Sequence, residues 1–282
     1  MMCLCLTLSC SVPKTQETST SKDSQQSSNQ VRMSDFQQAI DTSGLLGGVL
    51  IYDLAADTFY SNDFAWAAKR HLPASTFKIP NSMIMLESKT VASDSALIPW
   101  HGDQRMFPSW EQEMTLKQAF HRSCLPCYQQ LTRRLGFRNM QSYTSKLNYG
   151  TLQYDSTEYD RFWVEGSSGI SQLEQIDFLT RLYNEKLPFS KRTYELTKRI
   201  IKSQSNEYYQ LSAKTGWSII GEKHNGWYVG YVKAKGKIYF FATNLTPTKD
   251  YDMSLFSKSR KKLTFMAFQE LKIADKGWEE FK

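Results

Sequence analysis

A serine and a lysine three residues apart at a helix start are the first feature of this chain that could do chemistry. At that spacing both side chains lie on one helix face, so the lysine amine can reach and activate the serine hydroxyl. The helix N-terminus adds positive potential where an oxyanion would form. The spacing occurs four times, at Ser11/Lys14, Ser19/Lys22, Ser75/Lys78 and Ser259/Lys262. Only Ser75 and Lys78 open an apolar, helix-forming segment, and they are therefore the candidate nucleophile and base.

The triplet Lys214-Thr215-Gly216 is a second signal, at the end of a predicted strand. Chance would supply such a triplet only about 0.1 times in a chain of this length. Glycine lets a ligand lie close to the strand edge, and the lysine and threonine offer a cation and a hydroxyl to an anion. S-x-x-K and K-T-G occur together in penicillin-recognising serine enzymes, with a third, serine-bearing element between them. Ser123 lies in that interval.

The stretch HRSCLPCYQQL, residues 121–131, allows two interpretations of its chemistry. Cys124 and Cys127 have the C-x-x-C spacing of thiol–disulfide enzymes, but those enzymes place it in a thioredoxin-like βαβ unit. The preceding segment here predicts a helix, which favours Ser123 as the working residue. A role for Ser123 as the N-cap of a helix near Pro126 is an alternative that does not exclude catalysis. We expect both cysteines to be free thiols that pack as small apolar side chains.

Metal and nucleotide chemistry have little support in the sequence. The four histidines form no H-E-x-x-H and no H-x-H motif. His121, Cys124 and Cys127 could supply three metal ligands, but a fourth is not evident. Neither a P-loop nor a G-x-G-x-x-G fingerprint occurs. We therefore expect no metal and no nucleotide cofactor.

The charge pattern does not indicate a nucleic-acid partner. The formal net charge is +7, but lysines and arginines are interleaved with acidic residues. The densest basic run, residues 258–262, is typical of the solvated face of a helix. Nucleic-acid binding would need a continuous basic stripe, so we expect no such partner.

Hydrophobic periodicity predicts helices between two groups of strands. Predicted strands cover residues 45–53, 57–62, 208–214, 226–234 and 237–244, with turns at Gly221 and at 235–236. Predicted helices cover residues 75–89, 116–121, 126–135 and 255–273. A capping box at Ser171 and Glu174 begins a further helix that runs to Tyr183, and Ser190 is the expected N-cap of the next helix. Strands from both chain ends predict an α/β (α+β) fold, in which helices flank an antiparallel sheet and a helical part, about 80–205, is inserted.

The N-terminus predicts export. Residues 1–10 form a short apolar leader that ends at Cys10 and is too short to span a bilayer. Residues 11–34 are rich in Ser, Thr and Gln, as expected for a flexible tether, and residues 35–282 are the expected catalytic domain. The leader resembles a bacterial lipoprotein signal, which predicts a periplasmic protein lipidated and membrane-anchored at Cys10. An ordinary cleaved signal peptide is the alternative.

An ordered set of motifs between about residues 45 and 273 resembles the class D, or oxacillinase-type, serine β-lactamases. The set comprises Ser75 with FKIPNS from Phe77, Ser123-Cys124-Leu125, Tyr149-Gly150-Thr151, FWVEG from Phe162, Lys214-Thr215-Gly216 and GWYVG from Gly226. The resemblance implies the serine β-lactamase and penicillin-binding fold. It also implies small-molecule β-lactam substrates, which the enzyme hydrolyses. It leaves open whether the protein is a monomer or a dimer.

The resemblance implies a covalent mechanism. Ser75 is the expected nucleophile and becomes acylated. Lys78 is the expected general base, with a carboxyl group gained from carbon dioxide or bicarbonate on its amine; no other cofactor is expected. That modification needs a neutral amine, which an apolar surround of Phe77, Leu125 and Trp163 favours. The indole N–H of Trp163 could donate a hydrogen bond to the carbamate.

The remaining site residues are also carried over from the family pattern. Ser123 would pass a proton to the departing ring nitrogen, and Lys214 would hold positive potential beside it. Thr215 and Arg260 would bind the substrate carboxylate, with Gly216 giving close access to the strand. The backbone N–H groups of Ser75 and Trp217 would form the oxyanion hole.

Two positions depart from the family pattern. Leu125 stands where a β-branched Val or Ile is usual, so access of water and carbon dioxide to Lys78 is expected to differ. Leu125 is also one of the expected substrate-binding residues. Thr151 stands where Asn is frequent, at a position we interpret as mainly structural. The alternatives to functional roles are that Leu125 and Trp163 are ordinary core residues and that Lys214 and Thr215 are ordinary strand residues.

Several other functions are compatible with parts of the pattern. A penicillin-sensing domain of the same fold would be acylated and remain so, and a transpeptidase would pass the acyl group to another amine. A non-enzymatic binding protein is the simplest alternative. The complete, ordered set of motifs favours β-lactam hydrolysis over all three.

Overall fold

A seven-stranded sheet built from both ends of the described chain forms the centre of the structure. The computed structural model describes residues 29–273. In spatial order the strands are β1 (Asn29–Arg32), β3 (Thr58–Ser61), β2 (Leu45–Asp53), β9 (Lys237–Pro247), β8 (Lys223–Ala234), β7 (Tyr209–Ile220) and β6 (Lys202–Ser205). Neighbouring strands are antiparallel, except that β1 runs parallel to β3.

Helices cover both faces of this sheet. The helices are α1 (Ser34–Asp41), α2 (Phe64–Ala68), α3 (Lys78–Glu87), α4 (Leu116–His121), α5 (Leu125–Leu135), α6 (Phe137–Thr144), α7 (Gln172–Tyr183), α8 (Lys191–Ile201) and α9 (Met253–Glu270). Two short 3-10 helices, Ala74–Phe77 and Pro108–Trp110, and a two-stranded ribbon of β4 (Leu97–Ile98) and β5 (Met114–Thr115) complete the described elements. The fold class predicted from the sequence is confirmed.

The hydrophobic core is divided by the sheet into two clusters. On one face the terminal helices α1 and α9 bury residues such as Phe36, Phe256 and Phe268 against the sheet. On the other face the helices from α3 to α8 enclose a larger cluster that includes Phe77 and Trp163. Because both faces are covered, the middle of β8 is buried continuously and does not alternate between buried and exposed residues.

Local sequence signals predicted several boundaries correctly. Helix α4 covers the predicted residues 116–121, and α7 ends at Tyr183 as expected. The Ser171 hydroxyl accepts from the Glu174 N–H at 3.1 Å, while Glu174 Oε2 accepts from the Ser171 N–H at 2.8 Å, which confirms the capping box. The predicted turns also occur, with Gly221 and Gly236 both at positive φ.

Several predicted boundaries are wrong. The strand expected to end at Lys214 continues to Ile220, so Lys214-Thr215-Gly216 lies in the middle of β7 and not at its end. The expected helix from Ser75 begins as the 3-10 helix Ala74–Phe77 and becomes an α-helix only at Lys78. Hydrogen bonds that join Ala74 and Thr76 to distant segments of the chain explain why this first turn winds as a 3-10 helix. The last residues of the expected flexible tether, 11–34, have regular structure instead, since Asn29–Arg32 forms β1 and Ser34 begins α1.

The predicted leader (1–10), its Cys10 and most of the tether lie outside the described residues. Within residues 29–273, none of the helices has the length and apolar composition needed to cross a membrane.

Close pairing of β7 with β8 depends on Gly230, and its replacement tests that constraint. A Cβ atom at Gly230 would lie 2.1 Å from the Ser212 carbonyl oxygen and 2.8 Å from Ala213 Cα, both backbone atoms. We expect Gly230→Ala to lower the free energy of unfolding by more than about 2 kcal/mol, measured by urea denaturation. Gly236→Ala is the control: its Cβ would contact nothing within 4 Å, so only the left-handed backbone costs about 1 kcal/mol. Equal losses in the two variants would contradict the packing argument.

Candidate active site

Ser75 lies in the 3-10 helix Ala74–Phe77, whose geometry is set by contacts with distant segments. Ala74 has a φ of +53°, a backbone conformation that alanine rarely adopts. The Ala74 N–H donates to the Trp163 carbonyl at 2.6 Å, which anchors the residue before Ser75. The side chain of Ser75 is half-buried, so its hydroxyl remains accessible from solvent.

A buried polar network holds the next residue, Thr76. Its hydroxyl donates to the Pro73 carbonyl at 2.6 Å and accepts from Gln175 Nε2 at 2.9 Å. The Tyr149 hydroxyl donates to Gln175 Oε1 at 3.2 Å and lies 3.3 Å from Thr76 Oγ1. Neither Thr76 nor Gln175 could be predicted as a supporting residue, because their contact joins segments far apart in the chain and follows no spacing pattern.

Lys78 is fully buried and points its amine at Ser75. The Nζ atom donates to Ser75 Oγ at 2.9 Å and lies 5.3 Å from the centroid of the Tyr128 ring. Burial lowers the pKa of Lys78 from 10.5 to about 7, because removing the ammonium from water penalises its charged form. Near neutral pH a large fraction of Lys78 is therefore an unprotonated amine, which can accept the serine proton.

Aromatic side chains pack around Phe77, the residue before Lys78. Phe77 stacks on Trp163 with ring centroids 5.5 Å apart and contacts Phe162 edge-on at 4.9 Å. Trp163 is completely buried, yet its Nε1–H has no hydrogen-bond partner within the described part of the chain. A buried donor without a partner is costly, and a carboxylate in this pocket would satisfy it. This orphaned N–H fits a carboxyl group on the neighbouring Lys78.

Ser123 and Lys214 contact each other. Lys214 Nζ donates hydrogen bonds to Ser123 Oγ and, at 2.9 Å, to the Thr215 carbonyl oxygen. Burial holds the pKa of Lys214 well below its usual value, and the positive charges of Lys78, Arg260 and Lys261 lower that pKa further. Ser123 itself has a φ of +53° in the turn between α4 and α5. The structure thus joins the second and third predicted motifs, although they are 91 residues apart.

Strand β7 packs directly on the 3-10 helix that carries Ser75. A Cβ atom at Gly216 would lie 3.2 Å from Thr76 Cγ2 and 3.3 Å from Ala74 Cβ, so a larger side chain would push the two elements apart. Glycine at the third position of K-T-G therefore serves protein packing as well as the predicted substrate access. This contact aligns Lys214 and Thr215 along the edge of the serine site.

Arg260 lies beside β7, as the family pattern implied, but its guanidinium is engaged by the protein. It is 3% exposed, and its Nη1 donates to the Gly216 carbonyl. Its Cζ lies 5.6 Å from the Trp217 ring, and burial lowers the pKa of Arg260 to about 10. Trp217 is partly exposed, and its Nε1 donates to His224 Nδ1 at 3.1 Å. Trp217 follows Gly216 within β7, and Arg260 reaches the same strand from α9.

The expectation of free thiols in the body of the chain is wrong, because Cys124 and Cys127 form a disulfide with Cα atoms 5.4 Å apart. Cys124, not Ser123, is the N-cap of α5, and its Sγ accepts from the Cys127 N–H at 3.3 Å. The first helical turn thus brings the two sulfurs together. With both sulfurs bonded, the alternative metal site with His121 loses its thiolate ligands. Leu125, the first residue of α5, is half-buried and packs against the larger core.

The fold and this serine–lysine arrangement define the class of penicillin-binding serine proteins. The sequence model of the penicillin binding protein transpeptidase domain matches residues 14–264. The chain is 39% identical to β-lactamase OXA-10 of Pseudomonas aeruginosa over 66% of its own length and 70% of that relative. It is 34% identical to β-lactamase OXA-5 of the same organism, over 81% and 85% of the two chains.

A solved structure narrows the class further. The class D β-lactamase from Sebaldella termitidis superposes with a TM-score of 0.83 at 36% identity, over 88% of this chain and 99% of that one. The chain belongs to the class D β-lactamases.

The cost of burying Lys78 predicts that its replacement stabilises the fold. Because the folded-state pKa of about 7 is below the usual 10.5, the unfolded chain binds this proton more tightly. The resulting destabilisation is complete below pH 7 and is lost as the pH rises towards 10.5. We expect Lys78→Met to raise the free energy of unfolding by about 2–4 kcal/mol at pH 7 in bicarbonate-free buffer, and by far less at pH 10.

Urea denaturation at both pH values measures this difference. Lys233→Met, at an exposed position of β8, is the matched control and should change stability by less than about 0.5 kcal/mol. A Lys78→Met variant that is less stable than the parent at pH 7 would contradict the assigned burial cost.

Proposed function

We propose that this protein hydrolyses β-lactam antibiotics through an acyl-enzyme on Ser75. The observation that carries the proposal is the 2.9 Å hydrogen bond between the buried Lys78 amine and the Ser75 hydroxyl. An amine with a pKa of about 7 is unprotonated in a large fraction of molecules near neutral pH, and the unprotonated amine is the form that carbon dioxide can carboxylate. The family membership supports the β-lactam ring as the acyl donor.

Acylation requires a proton donor for the departing ring nitrogen. The Ser123 hydroxyl is the proposed donor. The Lys214 ammonium that contacts it is proposed to hold positive potential beside the departing nitrogen and to return a proton to Ser123. The low pKa of Lys214 supports its taking part in proton exchange and not only serving as a fixed cation. The backbone N–H groups of Ser75 and Trp217 are the proposed oxyanion donors.

Deacylation requires a base that can activate water. We assign this role to Lys78 carrying a carboxyl group gained from carbon dioxide, a modification that starts from the neutral amine. The unpaired Trp163 Nε1–H supports this assignment, because it would donate to a carbamate oxygen. Phe77 and Leu125 would limit the access of bulk water. The carboxyl group would supply the base, and the surrounding residues would hold it.

The substrate carboxylate is proposed to bind at Thr215 and Arg260. Thr215 is half-buried and its hydroxyl lies 3.4 Å from Lys214 Nζ, so two hydrogen-bond donors lie together at this end of the site. The Arg260 guanidinium adds positive potential even while it donates to the Gly216 carbonyl. We also infer export to the periplasm, with lipidation at Cys10 as the proposed anchor.

Turnover of a chromogenic cephalosporin and of benzylpenicillin by the purified protein, with added bicarbonate, tests the proposed function. We expect many turnovers per molecule, because a base for deacylation is present, and Ser75→Ala should abolish them. One equivalent of product followed by a stable acyl-enzyme would instead support a penicillin sensor. Acceleration by an added amine acceptor, with the acyl group found on that amine, would support a transpeptidase.

Labelling with ¹³C-bicarbonate tests the lysine modification separately. We expect one carbamate signal in the ¹³C NMR spectrum, absent from Lys78→Ala and weakened in Trp163→Phe, which keeps the aromatic packing but lacks the N–H donor. Lys78→Ala should still form some acyl-enzyme but should not release it, as measured by intact-protein mass spectrometry. Full turnover by Lys78→Ala would refute the base role.

A further inference from the structure

The Cys124–Cys127 disulfide directly adjoins the catalytic turn. Cys124 follows Ser123 in the chain, and both sulfur-bearing residues are fully buried. Cys124 also caps α5, so the bond joins the last residue of the turn to the first turn of the helix. Leu125, which faces the lysine site in the proposed mechanism, lies within the closed loop. The Cys124–Cys127 bond therefore lies next to two residues with separate proposed roles, Ser123 and Leu125.

Arg105 connects the same disulfide to a second loop. Its side chain is 4% exposed, and its Nη1 lies 3.6 Å from Cys127 Sγ and 3.9 Å from Cys124 Sγ. The same nitrogen donates to the Trp110 carbonyl at 2.8 Å. Trp110 Nε1 in turn donates to the Arg122 carbonyl at 2.9 Å, immediately before Ser123. The residues on both sides of Ser123 are thus held by one buried cluster.

Ser123 needs such support because its backbone is strained. A φ of +53° is unfavourable for a serine, and it persists only where the surroundings enforce it. Lys214 constrains the hydroxyl, whereas the backbone is fixed by the segments on either side. The loop closed by residues three apart is small, so the bond adds little to global stability. Its main effect must be local.

We propose that the Cys124–Cys127 disulfide is a positioning element for acylation, which holds Ser123 in line between Lys214 and the leaving nitrogen. The proposal rests on the proposed function, because it concerns the proton transfer by Ser123. When a dithiol reduces the bond, the cysteines gain two electrons and two protons, and the reductant becomes a disulfide. Two unbonded sulfurs must then separate to van der Waals distance, which opens the turn and displaces Ser123 and Leu125.

Peptide mapping establishes the state of the bond. Trypsin cleavage after Arg122 and Arg133 releases residues 123–133, which contain both cysteines and none of those in the leader. Alkylation under denaturing conditions without reductant should leave this peptide unmodified, and prior treatment of the native protein with a phosphine or dithiol should allow double alkylation. Free thiols in the untreated, exported protein would overturn the proposal.

Kinetics of the two forms test the positioning role. We expect reduction to slow acylation, measured as kcat/KM and by stopped flow, by about tenfold, the size of effect that a misplaced proton donor produces. Reoxidation should restore the rate. The melting temperature should fall by only a few degrees, because the closed loop is short. Decay of the isolated acyl-enzyme reports whether the movement of Leu125 also changes deacylation.

Variants provide the matched controls. Cys127→Ala removes the bond but keeps the Cys124 sulfur at the helix N-cap, and it should show the slow acylation without reductant. The double variant Cys124→Ala/Cys127→Ala should not respond to reductant, which excludes effects of reductant on the assay. Should these variants fold poorly, the comparison of reduced and reoxidised parent protein decides the question alone.

The outcomes separate this proposal from the proposed function. Equal acylation rates in the oxidised and reduced protein overturn the positioning role and leave β-lactam hydrolysis intact. A large fall in melting temperature that accounts for the lost activity also overturns it, since the bond would then be merely structural. If the oxidised protein itself does not turn over β-lactams, the proposed function fails first, and the positioning role fails with it.

Discussion

Burial of the Lys78 amine beside the Ser75 hydroxyl is the interaction on which the rest of the site depends. A lysine in water carries a proton and cannot act as a base, whereas removal from water brings its pKa to about 7. The fold bears the energetic cost of this burial, because the stabilisation of the two hydrophobic clusters exceeds it. The reactive state of the pair is therefore a property of the core and not of the S-x-x-K motif alone.

The neighbouring elements shield the Lys78 amine from water and hold the Ser75 hydroxyl in line with it. Phe77 and Trp163 exclude water on one side, and the network of Thr76, Tyr149 and Gln175 holds the 3-10 turn that aims Ser75. The small Gly216 lets β7 approach this turn, which brings Lys214 to Ser123. Each contact joins segments that are far apart in the chain, so the site forms only when the sheet and the helical part are both assembled.

The turn at Ser123 combines a strained backbone with unusual support. A disulfide, an arginine and a tryptophan surround the turn, whereas the other catalytic serine relies on hydrogen bonds and aromatic packing. A covalent support suits an oxidising compartment such as the periplasm, the location proposed here. The two cysteines were expected to be free thiols, because the C-x-x-C spacing alone cannot show whether two sulfurs will face each other.

The chemical groups, their order and the local boundaries that depend on neighbouring residues are evident from the sequence alone. The Ser171 capping box, the turn at Gly221 and the serine–lysine spacing are local, because their partners lie within a few residues. The folded chain was needed to show that Ala74 and Ser123 adopt left-handed backbones, that Gln175 supports Thr76, and that Cys124 and Cys127 are bonded. These features depend on burial and on contacts between distant segments, which arise from the packing of the whole chain and leave no periodic or spacing signal.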